Sequence, residues 1–273
     1  MTEPTAPEDF LSGTSGQVFG IRASSRAIVN DALSEAWALI GARSWRLRRA
    51  ARAGPRRRIL VLAIERAGEE NLLAGARAEL LRSHHNVHFD ATETGGRGKF
   101  ENLNLLLERH ALRDYDWVLI LDDDVRLPRG FLDAFLFLAE RFGLDLAQPA
   151  HLARSHAAWP LTRRRRGSVV RETGYVEIGP VVAMRPTTFD VLFPFPVLRA
   201  GWGLDAHWAA LAQSHGWRLG IVDATPIRHQ LRRIATFYDR DEAVAEGRRF
   251  LAERPYLKAS DSQRTLATHR TWT

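Results

Sequence analysis

The stretch DWVLILDDDVRLP, residues 116–128, decides how the chain is read. Five apolar residues run straight into Asp122, Asp123 and Asp124, and Pro128 follows at the expected start of a helix. A short unbroken apolar run is the mark of a strand buried on both faces of a sheet. In open α/β sheets ligands bind beyond the carboxyl ends of the strands, which is where the three acids fall. Side chains alternate along a strand, so Asp122 and Asp124 should share one side and Asp123 the other. Adjacent carboxylates repel one another where water is scarce, and a cation offsets that repulsion. An oxygen-preferring divalent ion, Mg²⁺ or Mn²⁺, fits, held by one or two carboxylates together with substrate phosphate oxygens. The competing reading makes the acids solvated loop residues or caps of the helix after Pro128.

Working outward, RILVLAI at 58–64 is a second strand of the same kind, followed by a helix over 69–83 and a strand over 86–91. The turn Gly95-Gly96-Arg97-Gly98 leads into a helix over 99–113. Beyond the acids come a helix (128–142), a strand (144–150), a polar, basic loop (151–171) and a strand (175–184). A helix after Gly201-Trp202-Gly203 (203–216), a strand (217–224) and a late helix (240–254) complete the pattern. This alternation predicts an open α/β sheet with helices on both faces. Residues 1–23, rich in Pro, Gly, Ser and Thr, read as a flexible tail. Residues 24–54 read as an amphipathic helical segment carrying Val29, Leu33, Trp37 and Ile40, 55–255 as one domain, and 256–273 as a loose tail.

The 273 residues are 45% apolar and 26% charged, enough for a sizeable core. Without cysteine there is no disulfide, thiolate metal site or Cys nucleophile. With no long apolar run and no secretory leader pattern, the expected location is cytoplasmic, in solution or at the inner face of the membrane. The net charge of +7 comes almost wholly from arginine, since Lys99 and Lys258 are the only lysines. Two clusters stand out: RSWRLRRAARAGPRRR at 43–58, which contains no acid, and Arg163 to Arg166. Each is either a solvated face or a contact for phosphates, acidic lipid or nucleic acid. The segment 24–58 docks on the domain or lies on a membrane surface with Trp37 and Trp45 inserted.

The run GKFENLNLLLERHALRDYDWVLILDDDVRLP, residues 98–128, resembles the core of GT-A fold glycosyltransferases, in particular the large family-2-like group. The match extends over roughly 58–230 and implies an open, mixed, Rossmann-like sheet. It also implies roles. Asp124 would ligate Mn²⁺ or Mg²⁺. Asp122 would face the ribose or reach the metal through water, and Asp123 would touch the nucleotide. Lys99 and Asn104 would lie beside the nucleotide, and Glu65 near its base. Gly201-Trp202-Gly203-Leu204-Asp205 is similar to a segment that supplies the general base in inverting members, which nominates Asp205, although Ala206 and His207 replace the second acid often found there. His229, ending VDATPIRH, corresponds to a late metal-ligating histidine. VEIGPVVAM and the FPFP segment at 193–196 are candidates to wall an acceptor pocket with Glu177 and Trp202. The resemblance thus implies sugar transfer from a nucleotide-diphosphate sugar, UDP first and GDP or dTDP next, to an unidentified hydroxyl, with inversion. Three alternatives stand beside it. A nucleotidyltransferase would carry a glycine-rich loop where AIERAGEEN stands at 63–71. A non-catalytic GT-A-like or nucleic-acid-binding protein would use the Arg clusters, but this leaves the ordered acids unexplained. A metal-dependent phosphohydrolase would need a spaced His-Asp cluster, which the sequence does not display.

Overall fold

The computed structural model describes residues 9–12, 43–66, 68–231 and 239–273. Nine strands form one mixed sheet: β1 Arg58–Glu65, β2 Asn86–Glu93, β3 Trp117–Asp122, β4 Val125–Arg126, β5 Leu146–His151, β6 Val170–Thr173, β7 Val181–Met184, β8 Leu219–His229 and β9 Thr265–His269. Their order is β2-β1-β3-β7-β5-β8-β6-β9, with the short β4 pairing with β8. Strand β1 runs parallel to β2 and β3, whereas β7 enters antiparallel between β3 and β5. Eight helices accompany the sheet among the described residues: α1 Arg43–Arg52, α2 Leu73–Leu80, α3 Lys99–Leu107, α4 Phe131–Arg141, α5 Phe189–Leu192, α6 Leu204–His215, α7 Arg240–Leu251 and α8 Ala259–Ser262.

The period-2 alternation of the central strands divides the core in two. Ile59, Val61 and Ala63 on β1 and Trp117, Leu119 and Leu121 on β3 pack against α2, α4 and Leu47 of α1. Leu60, Leu62, Val118 and Ile120 face the other way, onto α3, α6 and α7. Both faces of the sheet are therefore covered, which is why β1 and β3 read as continuous apolar runs. The open α/β sheet with helices on both faces is as expected.

Elsewhere the structure redraws the expected boundaries. The 69–83 helix shortens to Leu73–Leu80, and the strand expected over 175–184 is confined to Val181–Met184. Gly179 and Pro180 explain the latter, because glycine weakens a strand and proline cannot donate to a ladder. The predicted loop 151–171 yields β6 at its end, and the strand begun near 217 continues to His229. Residues 256–273 are not a loose tail. They hold α8 and β9, and β9 pairs with β6 from Val170↔His269 to Thr173↔Thr265. Within the segment read as an N-terminal tail, Phe10 is buried in the second core, and the Asp9 carboxylate accepts from Tyr256 Oη at 3.1 Å. The first part of the predicted 24–54 helix lies outside the described residues, and α1 is its last part. No described helix is long and apolar enough to cross a membrane.

Candidate functional site

Backbone pairing builds the site. Strand β3 delivers Asp122 at its carboxyl end, parallel to Ile64 of β1. The chain then turns into β4, whose Val125 pairs with His229 at the end of β8, and the Gln230 amide donates to the Asp124 carbonyl. Residues more than a hundred positions apart are thereby brought together. Asp122, Asp124 and His229 each offer a ligand atom, and these atoms lie within 4.8 Å of one another. His229 Nε2 stands 3.1 Å from Asp124 Oδ1.

The other ring nitrogen fixes the tautomer. His229 Nδ1 lies 3.3 Å from the His156 carbonyl, which can only accept, so the neutral ring carries its proton there and leaves Nε2 with a lone pair. Burial disfavours the charged ring, but the bond to Asp124 and the charges of Asp124, Asp122 and Glu177 outweigh it and hold the His229 pKa above its ordinary value. Two carboxylates and an imidazole oriented by a carbonyl form a donor set that suits Mn²⁺ or Mg²⁺.

Lys99, the first residue of α3, reaches across to Asp122, with Nζ 2.6 Å from Oδ1, and donates to the Ile178 carbonyl at 3.2 Å. Two glycines permit this. A β-carbon on Gly98 would come 2.3 Å from the Cα of Arg199, so the start of α3 can dock only without one. A β-carbon on Gly179 would stand 2.5 Å from Lys99 Nζ and 3.0 Å from Asp122 Oδ2.

Asp205 sits in the first turn of α6. Its Oδ1 accepts the Ala206 amide at 2.9 Å, and its Oδ2 accepts a short hydrogen bond from the buried Tyr175 hydroxyl. Burial raises its pKa to about 7, against the bonds from Tyr175 and the Ala206 amide, and the charge of Glu177 adds to the rise. Burial and the charge of Asp205 push Tyr175 well above its ordinary value, so Tyr175 stays a neutral donor. Glu177 acts on both halves of the site, because it raises His229 as well.

Glu177 itself is buried, with Oε2 2.9 Å from His151 Nε2 and Oε1 accepting from Thr162 Oγ1 at 3.1 Å. From His151 the chain passes to Ser155 Oγ at 3.1 Å, and Ser155 Oγ accepts the His229 amide at 2.7 Å. These bonds link Glu177, expected at an acceptor pocket, to the backbone of His229. Trp202 is partly buried and packs against the second core. The FPFP phenylalanines do likewise, since Phe195 is buried and lies edge-on to Phe100 and Phe193.

Three further residues expected at the nucleotide have protein partners in the structure. Asp123 is fully buried in the turn between β3 and β4, where strand alternation does not apply; its oxygens accept from the Arg66 amide at 3.0 Å and the Arg66 guanidinium at 2.9 Å. Asn104 uses its amide on the Phe195 backbone, donating to the carbonyl and accepting from the N–H, both at 2.8 Å. Glu65 accepts from Asn71 at 3.0 Å, at the end of β1. Arg163 likewise spends its guanidinium on the carbonyls of Leu152, Ala153 and Ser155, so the cluster 163–166 is not uniformly available to an anion.

Tyr175, His151, Ser155 and Gly179 were not singled out from the sequence. For Gly179 a signal existed, since a glycine inside an apparent strand marks close approach of another group. A second group, His84, His85 and Asp133, also has ligand atoms within 4.8 Å. There Asp133 already accepts from Ser83, the His84 amide and Arg52, and His85 Nδ1 accepts the Arg57 amide, so the group braces the turn before β2.

No family model matches the chain, and no curated protein matches it. Among solved structures, it is similar to S. aureus TarS 1–349 in complex with UDP-GlcNAc, with a TM-score of 0.47 and 13% identity over 74% of this chain and 69% of that one. It is also similar to the catalytic domain of Drosophila β1,4-galactosyltransferase 7 in complex with xylobiose (TM-score 0.44, 14% identity, 69% and 79% covered). A third similar structure is GalNAc-T7 with UDP, GalNAc and Mn²⁺ (TM-score 0.44, 9% identity, 72% and 48% covered). Likeness of this degree carries no functional argument, and the case rests on the side chains of the site.

Proposed function

We propose that the protein is a metal-dependent glycosyltransferase that moves a sugar from a nucleotide-diphosphate sugar to a hydroxyl acceptor with inversion. The observation that carries the reading is the meeting of Asp122, Asp124 and His229 at the carboxyl edge of β3, with Lys99 on Asp122. The likeness of residues 98–128 to the GT-A core supports it, and so does the place of the acids in the sheet.

Asp124 and His229 would hold Mn²⁺ or Mg²⁺ directly, with Asp122 beside them. When bound, the ion supplies a Lewis acid and a template for the diphosphate leaving group. Lys99 adds a positive charge at the same edge and holds Asp122 in place. The Ser155 hydroxyl, holding the His229 amide, and the His156 carbonyl keep the imidazole in one orientation and one tautomer. Asp205 serves as general base and takes the proton of the acceptor hydroxyl. A base poised near the working pH is efficient, and general-base assistance typically contributes about 10²–10⁴ in rate. The Tyr175 hydroxyl fixes Asp205 and stabilises its charged form. UDP is the nucleotide to try first, followed by GDP and dTDP.

The test is a transfer assay alongside donor binding. Asp205→Asn should keep binding of UDP with Mn²⁺ and lose transfer by about a hundredfold or more. Full transfer by that variant would remove Asp205 from the chemistry.

A further inference from the structure

Helix α1 carries the acid-free basic run that the proposed chemistry does not use. Its inner face is apolar, with Leu47 and Ala51 buried against the first core. Its outer face carries Trp45, Arg46, Arg49 and Arg52, all exposed, and Arg56 just beyond the helix is exposed too. Trp45 is 58% exposed, the Arg49 guanidinium sits 5.5 Å from its ring centroid, and Arg52 is held by Asp133 at 3.3 Å. Arg46, Arg49 and Arg56 have no ion-pair partner among the described residues.

The direction of α1 follows from its contacts. Arg48 packs over Gly130, Arg52 pairs with Asp133, Gly54 approaches Phe137 and Arg57 pairs with Glu140 at 2.9 Å. The contacts advance in the same order along both segments, so α1 runs in the same sense as α4. Helix α4 begins six residues after Val125, on the edge of the sheet where Asp122 and Asp124 lie. The amino-terminal turn of α1, with Trp45 and Arg46, therefore projects toward the end of the molecule that holds the candidate site.

We propose that the outer face of α1 docks this end of the protein onto an anionic lipid bilayer. Unpaired guanidiniums complement acidic headgroups, each basic residue contributing about a fivefold gain in binding near such a surface. An indole set among them and exposed to solvent suits the headgroup level, where its apolar body is buried and its N–H stays wet. A nucleic acid duplex would use the arginines but keeps its bases stacked inside and gives no comparable place to a lone tryptophan on a helix end. The proposal stands apart from the donor chemistry and adds a partner to it.

Co-sedimentation of the full chain with phosphatidylcholine vesicles, with and without phosphatidylglycerol, tests it. Binding should require the anionic lipid and weaken steeply with salt. Arg46→Glu with Arg49→Glu should weaken it at least about tenfold, and Arg56→Glu and Trp45→Ala each less. The urea-unfolding midpoint is read in the same variants. Its retention shows that they are folded, so that loss of vesicle binding is loss of the surface. Absence of binding to anionic vesicles, binding unchanged in the double variant, or tighter Arg-dependent binding to duplex DNA than to vesicles would each overturn the proposal. None of these results bears on the donor site.

Discussion

Replacing Asp205 by asparagine should stabilise the protein, and increasingly so as the pH rises. An unfolded aspartate ionises near 3.8, whereas burial holds the folded Asp205 protonated up to about 7. A carboxyl group whose folded pKa is raised supports the fold while protonated and loses that support as the pH climbs from its unfolded to its folded pKa. Between pH 5 and pH 7 the unfolded chain is ionised at this position and the folded one is not. Over that window the wild type loses roughly 2 kcal/mol on account of this group, the slope easing as the pH nears the folded pKa. Asparagine does not titrate, and its carbonyl can still accept the Tyr175 hydroxyl. The advantage of Asp205→Asn over wild type should therefore be larger at pH 8 than at pH 5 by roughly 2–3 kcal/mol. Urea unfolding of both proteins at each pH measures this, and the comparison cancels the titrating groups that do not interact with Asp205. An advantage that stays flat within about 0.5 kcal/mol would mean that Asp205 titrates as an ordinary surface acid, and its poise as a base near neutral pH would be refuted.

Three further substitutions separate site from scaffold. Gly179→Ala places a methyl group against Lys99 Nζ, so the affinity for UDP with Mn²⁺, measured by calorimetry, should fall about tenfold or more at a stability cost of about 1–3 kcal/mol. Asn104→Ala leaves the Phe195 N–H and carbonyl without their partners; it should cost about 1–3 kcal/mol in urea unfolding and leave nucleotide affinity unchanged, and the opposite pattern would return Asn104 to the nucleotide. Arg171→Met removes the guanidinium that contacts the buried Asp223 at 2.8 Å and 3.0 Å, leaving it only the Arg165 amide among the described side-chain contacts, and should cost about 3–5 kcal/mol by the same assay.

The central strands and the acids that follow them were legible because burial on both sheet faces writes a continuous apolar run, and a strand end is a local event. What joins the acids was not legible. The meeting of Asp124 with His229 depends on a two-residue strand, β4, pairing with a position more than a hundred residues away. The insertion of β7 between β3 and β5 is equally non-local, and Tyr175, Glu177 and Gly179 take their places from it. Strand alternation was expected to separate Asp123 from Asp122 and Asp124, but β3 ends at Asp122 and Asp123 sits in a turn, and nothing near it in sequence announced that Arg66 would hold both its oxygens. Asn104 shows the same limit in reverse, since a polar residue in a recognisable motif can be spent on a backbone that arrives from the other half of the chain.

The central claim is that Asp124 and His229 hold a divalent ion that in turn holds a nucleoside diphosphate. Calorimetric titration of UDP, GDP and dTDP into the protein with and without Mn²⁺, repeated on Asp124→Asn and His229→Ala, tests it most directly. The account predicts Mn²⁺-dependent binding of at least one of these diphosphates by the wild type, lost in Asp124→Asn and weakened in His229→Ala. Binding that is indifferent to Mn²⁺, or that survives intact in Asp124→Asn, would contradict it.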